Sequence, residues 1–566
     1  MMTRTAQDEY DTNIDILTRT NYRLSAAQVN TVSELLNRSV TLLIIGEISR
    51  RKLEKDHFSQ AMSDLEKTTA RLHAQINQFK YLLAPVRLLP IEILMEIFLY
   101  TAAHEPQACI PLLNQAPISI SQVCSTWRRA SLLCPTLWSR LSLSFNKYKT
   151  RSNASIELMT LWYSRADARP ISFLLSCRSG RIVKEITAAL VPFSHRFSHL
   201  SLDVDHLEDL KEFLSQCDTV LASLKKVKIY IKYAPTELYT VNLFRCAPAL
   251  RDATLNIRSD MLAISSSFGF PWSQLTHLNL LHRITPHAFA HIILQCPQLV
   301  HAQLSVNIQQ GSLLSPPEKP RDLAVLAHLV KLRLRIYGDG RHYDIVESTM
   351  AHLAFPAMKN FEVCGDTADF PASLIIPSLH TNNISICAAG ANLLTRLVLV
   401  SVYCHADSEF ASMLRACTAL ESLAIQAIAE HTQILAVLLE PTDNIPPPSL
   451  PSLTSFVLVI EVIGAPSLPT KLNCLIRAWT SNPARCHPFG AFTIYSSEIV
   501  DADLGIVEEV FREIRVLLGP WREIDEPDGC VAIAHSGMVL RTRHVSPRFT
   551  LTGKDDHWLG VDWPKD

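Results

Sequence analysis

Glycine is scarce, 16 of 566 residues, so there are few places where backbone can wrap closely around a phosphate. The sequence has no Walker loop, no dinucleotide fingerprint and no H-E-x-x-H helix. Neither sign of charge is in surplus. Lys and Arg total 53 and Asp and Glu 54, a net charge of -1, which gives nucleic acid or an anionic membrane no basic footprint. Apolar runs such as VTLLII at 40–45 fall well short of the roughly 20 residues of a membrane span. The opening MMTRTAQDEYDTNID is polar and mixed in charge, so no signal peptide is expected. The 14 cysteines are scattered without a CxxC pair, which argues against zinc knuckles and a compact disulfide framework. A reducing compartment, cytoplasmic or nuclear, is the expectation.

What the chain does have is length and apolar content, 566 residues at 48% hydrophobic. That is too much for one simple core and calls for several domains or an elongated repeat array. Residues 1–27 are expected to be poorly ordered. Residues 28–84 are expected to form a long helix, in which Phe58, Met62, Leu65, Thr69, Leu72, Ile76, Phe79 and Leu83 fall at heptad spacing. That stripe suits self-association or packing back onto the next domain, and the sequence leaves both open. Pro85 ends this helix and Pro90 opens another, where Leu89, Ile93, Leu94, Ile97 and Phe98 recur at helical spacing. After a Pro-punctuated connection, Ile120, Val123, Trp127, Ala130 and Leu133 mark an amphipathic helix. Pro135 then forces a turn ahead of Leu137 and Trp138. Residues 85–145 therefore read as a small helical domain.

Beyond residue 160 the texture changes to short β-type runs alternating with apolar segments at helical spacing. An apolar-x-x-apolar-x-apolar triplet begins at Phe197, Leu224, Leu250, Leu275, Leu299 and Leu329, with steps of 27, 26, 25, 24 and 30 residues. It returns at Met358, Leu394, Leu420, Leu453 and, more loosely, Phe489. The period is close to that of leucine-rich repeats. Pro248, Pro297, Pro356, Pro377 and Pro451 each stand two residues before an apolar position of this kind, where proline closes a helix and admits the chain to a strand. The expected fold class is an α+β or α/β repeat, with an irregular leucine-rich-repeat-like solenoid over 160–500. The loops at 315–322 and 440–452 are expected to be exposed. Leu504, Val507, Phe511, Ile514 and Leu518 describe a terminal helix, so 501–566 reads as that helix plus a cap or tail.

Signals for catalysis are weak. His287 and His291 stand at i and i+4 after Thr285 and Pro286, as metal ligands on one helix face would, yet no acidic or cysteine third ligand is near in sequence. His195 and His199 repeat the spacing beside an expected strand. Ser536 precedes a glycine but lacks the G-x-S-x-G elbow. No catalytic residue, metal or cofactor is expected.

LLPIEILMEIF, then VCSTWRRA, then LW, resembles the F-box, the helical module by which substrate receptors attach to the Skp-family adaptor of SCF ubiquitin ligases. The resemblance runs from about Leu83 to Leu143 and rests on Leu89, Pro90, Glu92, Ile93, Ile97 and Phe98, then Val123, Cys124, Trp127, Arg128, Leu137 and Trp138. The order of a heptad helix, a YLLAPVRLLPIEI junction, the box and degenerate repeats is similar to an F-box-like family of fungi. The connection from Phe98 to Val123 is longer than in a minimal F-box. The resemblance implies a non-catalytic receptor. Leu89, Pro90, Ile93, Leu94, Ile97, Phe98, Val123, Trp127, Leu137 and Trp138 would bind the adaptor, and through it a cullin, or build the box's own core. The repeats would hold an unknown client protein, with Lys228, Tyr230, Asn256, Asn279, Gln303, Arg333 and Arg335 as candidate contacts. A scaffold that takes no part in ubiquitin transfer is the alternative.

Overall fold

The computed structural model describes residues 24–55, 59–103, 116–145, 152–217, 221–233, 244, 247–257, 270–307, 324–337, 350, 353–365, 393–400, 414, 416–427, 450–460, 491–496, 522–525, 531–535 and 538–544. The terminal helix at 504–518, Pro377, Ser536 and the loops at 315–322 and 440–449 lie outside these residues. The chain divides into two compact units, Met1–Arg178 and Ser179–Asp566. No helix among the described residues is long and apolar enough to cross a membrane.

The first unit opens with α1 (Ala26–Lys55) and α2 (Ser59–Leu82) where one helix over 28–84 was expected. Ser25 and Gln28 form a capping box at the start of α1: the Ser25 amide donates to Gln28 Oε1 at 2.8 Å and the Gln28 amide to Ser25 Oγ at 3.3 Å. The division has a physical reason. The heptad stripe needs an apolar partner, and α1 supplies one, with Val32, Phe79 and Leu82 buried together against Leu35 and Leu36. Further along, Gly46 brings α1 close to Leu65 and Thr69, within 3.8 Å of where a side chain would begin.

Pro85 opens a tight 3-10 turn, Pro85–Leu88, and the Arg87 guanidinium lies 4.9 Å over the ring of Tyr81. Helix α3 spans Ile91–Ala103, with Glu92 in its first turn, where the helix dipole favours a carboxylate. The Pro90 carbonyl accepts the Leu94 amide at 3.1 Å, so proline stands one position earlier than the sequence suggested. The expected amphipathic helix 120–133 is two helices, α4 (Ala116–Val123) and α5 (Ser125–Leu132). Cys124 breaks it by adopting extended backbone and accepting the Trp127 amide on its thiol at 3.4 Å.

The domain expected to be helical over 85–145 ends in a strand, β1 (Arg140–Phe145), parallel to β2 (Ile171–Cys177) and linked to it through α6 (Ser152–Arg165). RLSLSF alternates apolar and polar residues at the two-residue period of a half-buried strand, a signal overridden by reading the segment as part of a helical module. Trp138 anchors this core. It is fully buried, its indole N–H donates to the Ser131 carbonyl at 2.8 Å, its ring meets Trp162 edge-on at 5.0 Å, and Arg165 lies 4.5 Å over it.

The second unit overturns the expected solenoid. All but two of its described strands belong to one sheet in which twelve run parallel and lie side by side in chain order: β3 (Phe197–His206), β4 (Lys226–Tyr233), β5 (Asp252–Ile257), β6 (His277–Ile284), β7 (His301–Asn307), β9 (Lys331–Tyr337), β11 (Asn360–Gly365), β12 (Arg396–Val400), β13 (Ser422–Ala427), β14 (Ser455–Ile460), β15 (Ala491–Ser496) and β18 (Met538–His544). The two-residue strands β8 (Ala324–Val325) and β10 (Leu353–Ala354) pair separately, and β16 (Arg522–Asp525) and β17 (Val531–His535) continue antiparallel from β18. Three helices of this unit are described, α7 (Gly180–Leu190), α8 (Glu208–Cys217) and α9 (Pro286–Leu294). A helix after every strand is not what the described residues show, and the fold is an α/β-type parallel sheet. The triplets recorded strand register and said little about what joins the strands. Leu200, Val227, Ala253, Leu278, Ala302, Leu332, Phe361, Leu397, Leu423 and Phe456 are successive partners across the sheet and are buried.

The prolines sit in turns at the strand entries, Pro297 three residues after α9 ends at Leu294. Pro248, Pro297, Pro356 and Pro451 each occupy the second position of a four-residue turn, where fixed φ is an advantage. The turn closes by the fourth residue's amide donating to the first carbonyl, as in Leu250 to Ala247 at 3.1 Å and Leu299 to Cys296 at 3.3 Å. The residue that follows then joins its neighbour: Arg251 N–H donates to Lys225 O, Thr276 to Arg251, Val300 to Thr276 and Val330 to Val300, at 2.8 to 3.0 Å.

Removing the Trp138 ring leaves a large cavity and takes one hydrogen bond from the Ser131 carbonyl, which keeps the Cys134 amide at 3.3 Å. Trp138→Ala is expected to lower the first unit's stability by about 3–5 kcal/mol, read by urea denaturation, with Trp138→Phe intermediate.

Candidate functional site

Helix α3 presents two different faces. Leu94 and Phe98 are 1% exposed, whereas Ile93 and Ile97 are 47% and 44% exposed. The inner pair is held by packing, the Phe98 and Trp127 rings lying 5.0 Å apart at 56°. The outer pair extends to exposed Tyr100, so Ile93, Ile97 and Tyr100 follow one another at i, i+4 and i+7 along a single stripe. Leu88, Val123, Leu132 and Leu133 are further large apolar side chains exposed on this unit's helices and turns.

The ten residues singled out in the sequence are thus split. Leu94, Phe98, Leu137 and Trp138 are core, while Pro90, Ile93, Ile97 and Val123 face outward. Leu89 and Trp127 are half-buried. Sequence spacing identified the apolar helix but grouped Leu89, Ile93, Leu94, Ile97 and Phe98 together, although adjacent residues lie about 100° apart on a helix. Tyr100 and Leu88 were missed. The signal for Tyr100 was its place three residues beyond Ile97.

In the second unit the polar positions of the strands form rows. Lys228, Tyr230, Asn256, Asn279 and Gln303 are half-buried among them. The Tyr230 phenol is raised above its ordinary range by burial and then by Asp203 on the next strand. Arg333 and Arg335, expected as client contacts, are buried. Arg333 Nε lies 3.6 Å from the Glu362 carboxylate, its register partner on β11, and Arg396 Nε lies 3.7 Å from the other oxygen. Burial lowers the Arg396 pKa, Glu362 opposes that shift and Arg333 adds to it.

The histidines at i and i+4 lie on the one helix α9 but differ in exposure. His287 is buried in the first turn of α9, while His291 is exposed beside the Gln295 amide at 2.7 Å. His195 and His199 are exposed, one in a 3-10 turn and one on β3. Among the described residues no group of three or more His, Cys, Asp or Glu is gathered to hold a metal.

No family model matches the chain, and no curated protein matches it.

Two buried thiols have an environment hostile to nucleophilic chemistry. Burial pushes the Cys296 and Cys417 pKa values up to about 12, leaving almost no thiolate at neutral pH. Both are expected to resist iodoacetamide at pH 8 in the native protein and to react once urea unfolds it, as read by peptide mass spectrometry.

Proposed function

We propose that the chain is a non-catalytic receptor subunit of an SCF-type ubiquitin ligase. The first unit docks the Skp-family adaptor, and through it a cullin, by the outward stripe of α3. The second unit carries a client protein. One observation carries this reading: Ile93 and Ile97 remain exposed on a helix whose adjoining face, Leu94 and Phe98, is fully packed. A large aliphatic pair held outward on a rigid helix is a ready anchor for a partner, and such anchors dominate many interfaces. Burying each one contributes on the order of 1.5–3 kcal/mol.

The receptor needs no nucleophile of its own. Holding a client near the transfer machinery converts a bimolecular reaction into one at high effective concentration. A receptor of this kind would work in the cytoplasm or nucleus.

The test is a pulldown of the full chain with a Skp-family adaptor. Wild type is expected to capture it. An Ile93→Asp/Ile97→Asp variant is expected to lose at least about tenfold in affinity, the factor that roughly 1.4 kcal/mol sets. Because both side chains are exposed, its melting temperature should match wild type. Absence of capture by wild type overturns the reading, and undiminished capture by the folded variant overturns the placement of the interface.

A further inference from the structure

The first residues of the parallel strands form one continuous row across the second unit. From β4 to β12 the successive register partners are Lys226, Asp252, His277, His301, Lys331, Asn360 and Arg396. Three of these carry fixed positive charge, and Asp252 is the one carboxylate, met by Lys226 Nζ at 2.7 Å. Further cations stand one residue earlier in the chain. Lys225, Arg251 and Lys359 are exposed, and the amide of each donates to the neighbouring strand's entry, so the sheet's own ladder fixes their spacing. No acidic residue occupies that earlier position in any of these strands. A chain with a net charge of -1 thus gathers a basic strip along one edge of its sheet.

We propose that this strand-entry edge binds an acidic, extended segment of the client protein. The inference rests on the reading of the second unit as a client carrier and gives that client a chemistry. Neighbouring strands lie about 4.8 Å apart, so the row from Lys226 to Arg396 runs roughly 29 Å, the length of about nine residues of extended chain. Glu362, one row further into the sheet, lies 3.7 Å from Arg396 and offsets part of its charge. The excess is therefore clearest at Lys225, Arg251, Lys331 and Lys359. A single exposed ion pair contributes little, but a series of them engaged by one tethered segment acts together.

The row suits a peptide better than a single-stranded nucleic acid. Bases need open rings to stack on, whereas the His277 and His301 rings stand edge to face, 4.7 Å apart at 81°, each covering the other.

The experiment is fluorescence anisotropy of a labelled poly-glutamate peptide of about ten residues titrated with the full chain at low ionic strength, with no adaptor present. Wild type should bind it, and added salt should weaken the binding by screening. Lys225→Glu/Lys359→Glu should lose about tenfold or more in affinity through like-charge repulsion. The control Arg181→Glu/Lys232→Glu makes the same change of charge at exposed positions on α7 and near the end of β4, and should bind as wild type does. Melting temperatures confirm that each variant is folded. Absence of peptide binding by wild type, an equal loss in the control, or tighter binding of an oligothymidylate of the same length would overturn the proposal. Capture of the adaptor by wild type alongside any of these results would remove the client's chemistry and leave the ligase reading standing.

Discussion

The ring of Phe98, 5.0 Å from that of Trp127, decides which way α3 faces. Once Phe98 and, a turn earlier, Leu94 are committed to the core, helical geometry leaves Ile93, Ile97 and Tyr100 no inward position. Pro90 and the turn at Pro85–Leu88 set where the helix begins, and Trp138 holds the floor beneath it through Ser131, Trp162 and Arg165. The outward stripe follows from how the inward one is packed.

The second unit obeys the same constraint with a different period. Strand β4 buries alternate residues while β9 is buried at five consecutive positions, and the relay of amides from Ser198 through Lys225, Arg251, Thr276, Val300 and Val330 keeps neighbours in step. A slip of one residue would turn the side chains of a strand to the other face of the sheet. Register therefore dictates what the polar rows contain. It places Glu362 between Arg333 and Arg396, where a buried carboxylate meets two guanidiniums, and it sets His277 opposite His301. Removing Glu362 would leave those cations without their shared partner, which is the costly way to break a buried pair.

Much of this was legible in the residues and some was not. The triplets located strands through their second and third apolar positions, because burial on one face of a parallel sheet leaves a regular trace. They did not specify what joins the strands, so a solenoid of strand–helix units was expected where an α/β-type sheet is found. The prolines were read as helix stops because their place relative to the triplets was clear, whereas the tight turn they occupy depends on a hydrogen bond that no pattern records. The strand at Arg140–Phe145 was overridden by the resemblance around it. In α3 the apolar content was evident, but its division into core and exposed faces needed the partner Trp127, which lies 29 residues from Phe98.

The outward face of α3 is the proposed docking surface. Hydrogen–deuterium exchange of the full chain, alone and with a Skp-family adaptor, tests this most directly. Slowed exchange confined to α3 and the adjoining α4 and α5, with β3 to β14 unchanged, is the expected result. Protection of the sheet strands with α3 unchanged, or no protection anywhere, would contradict it.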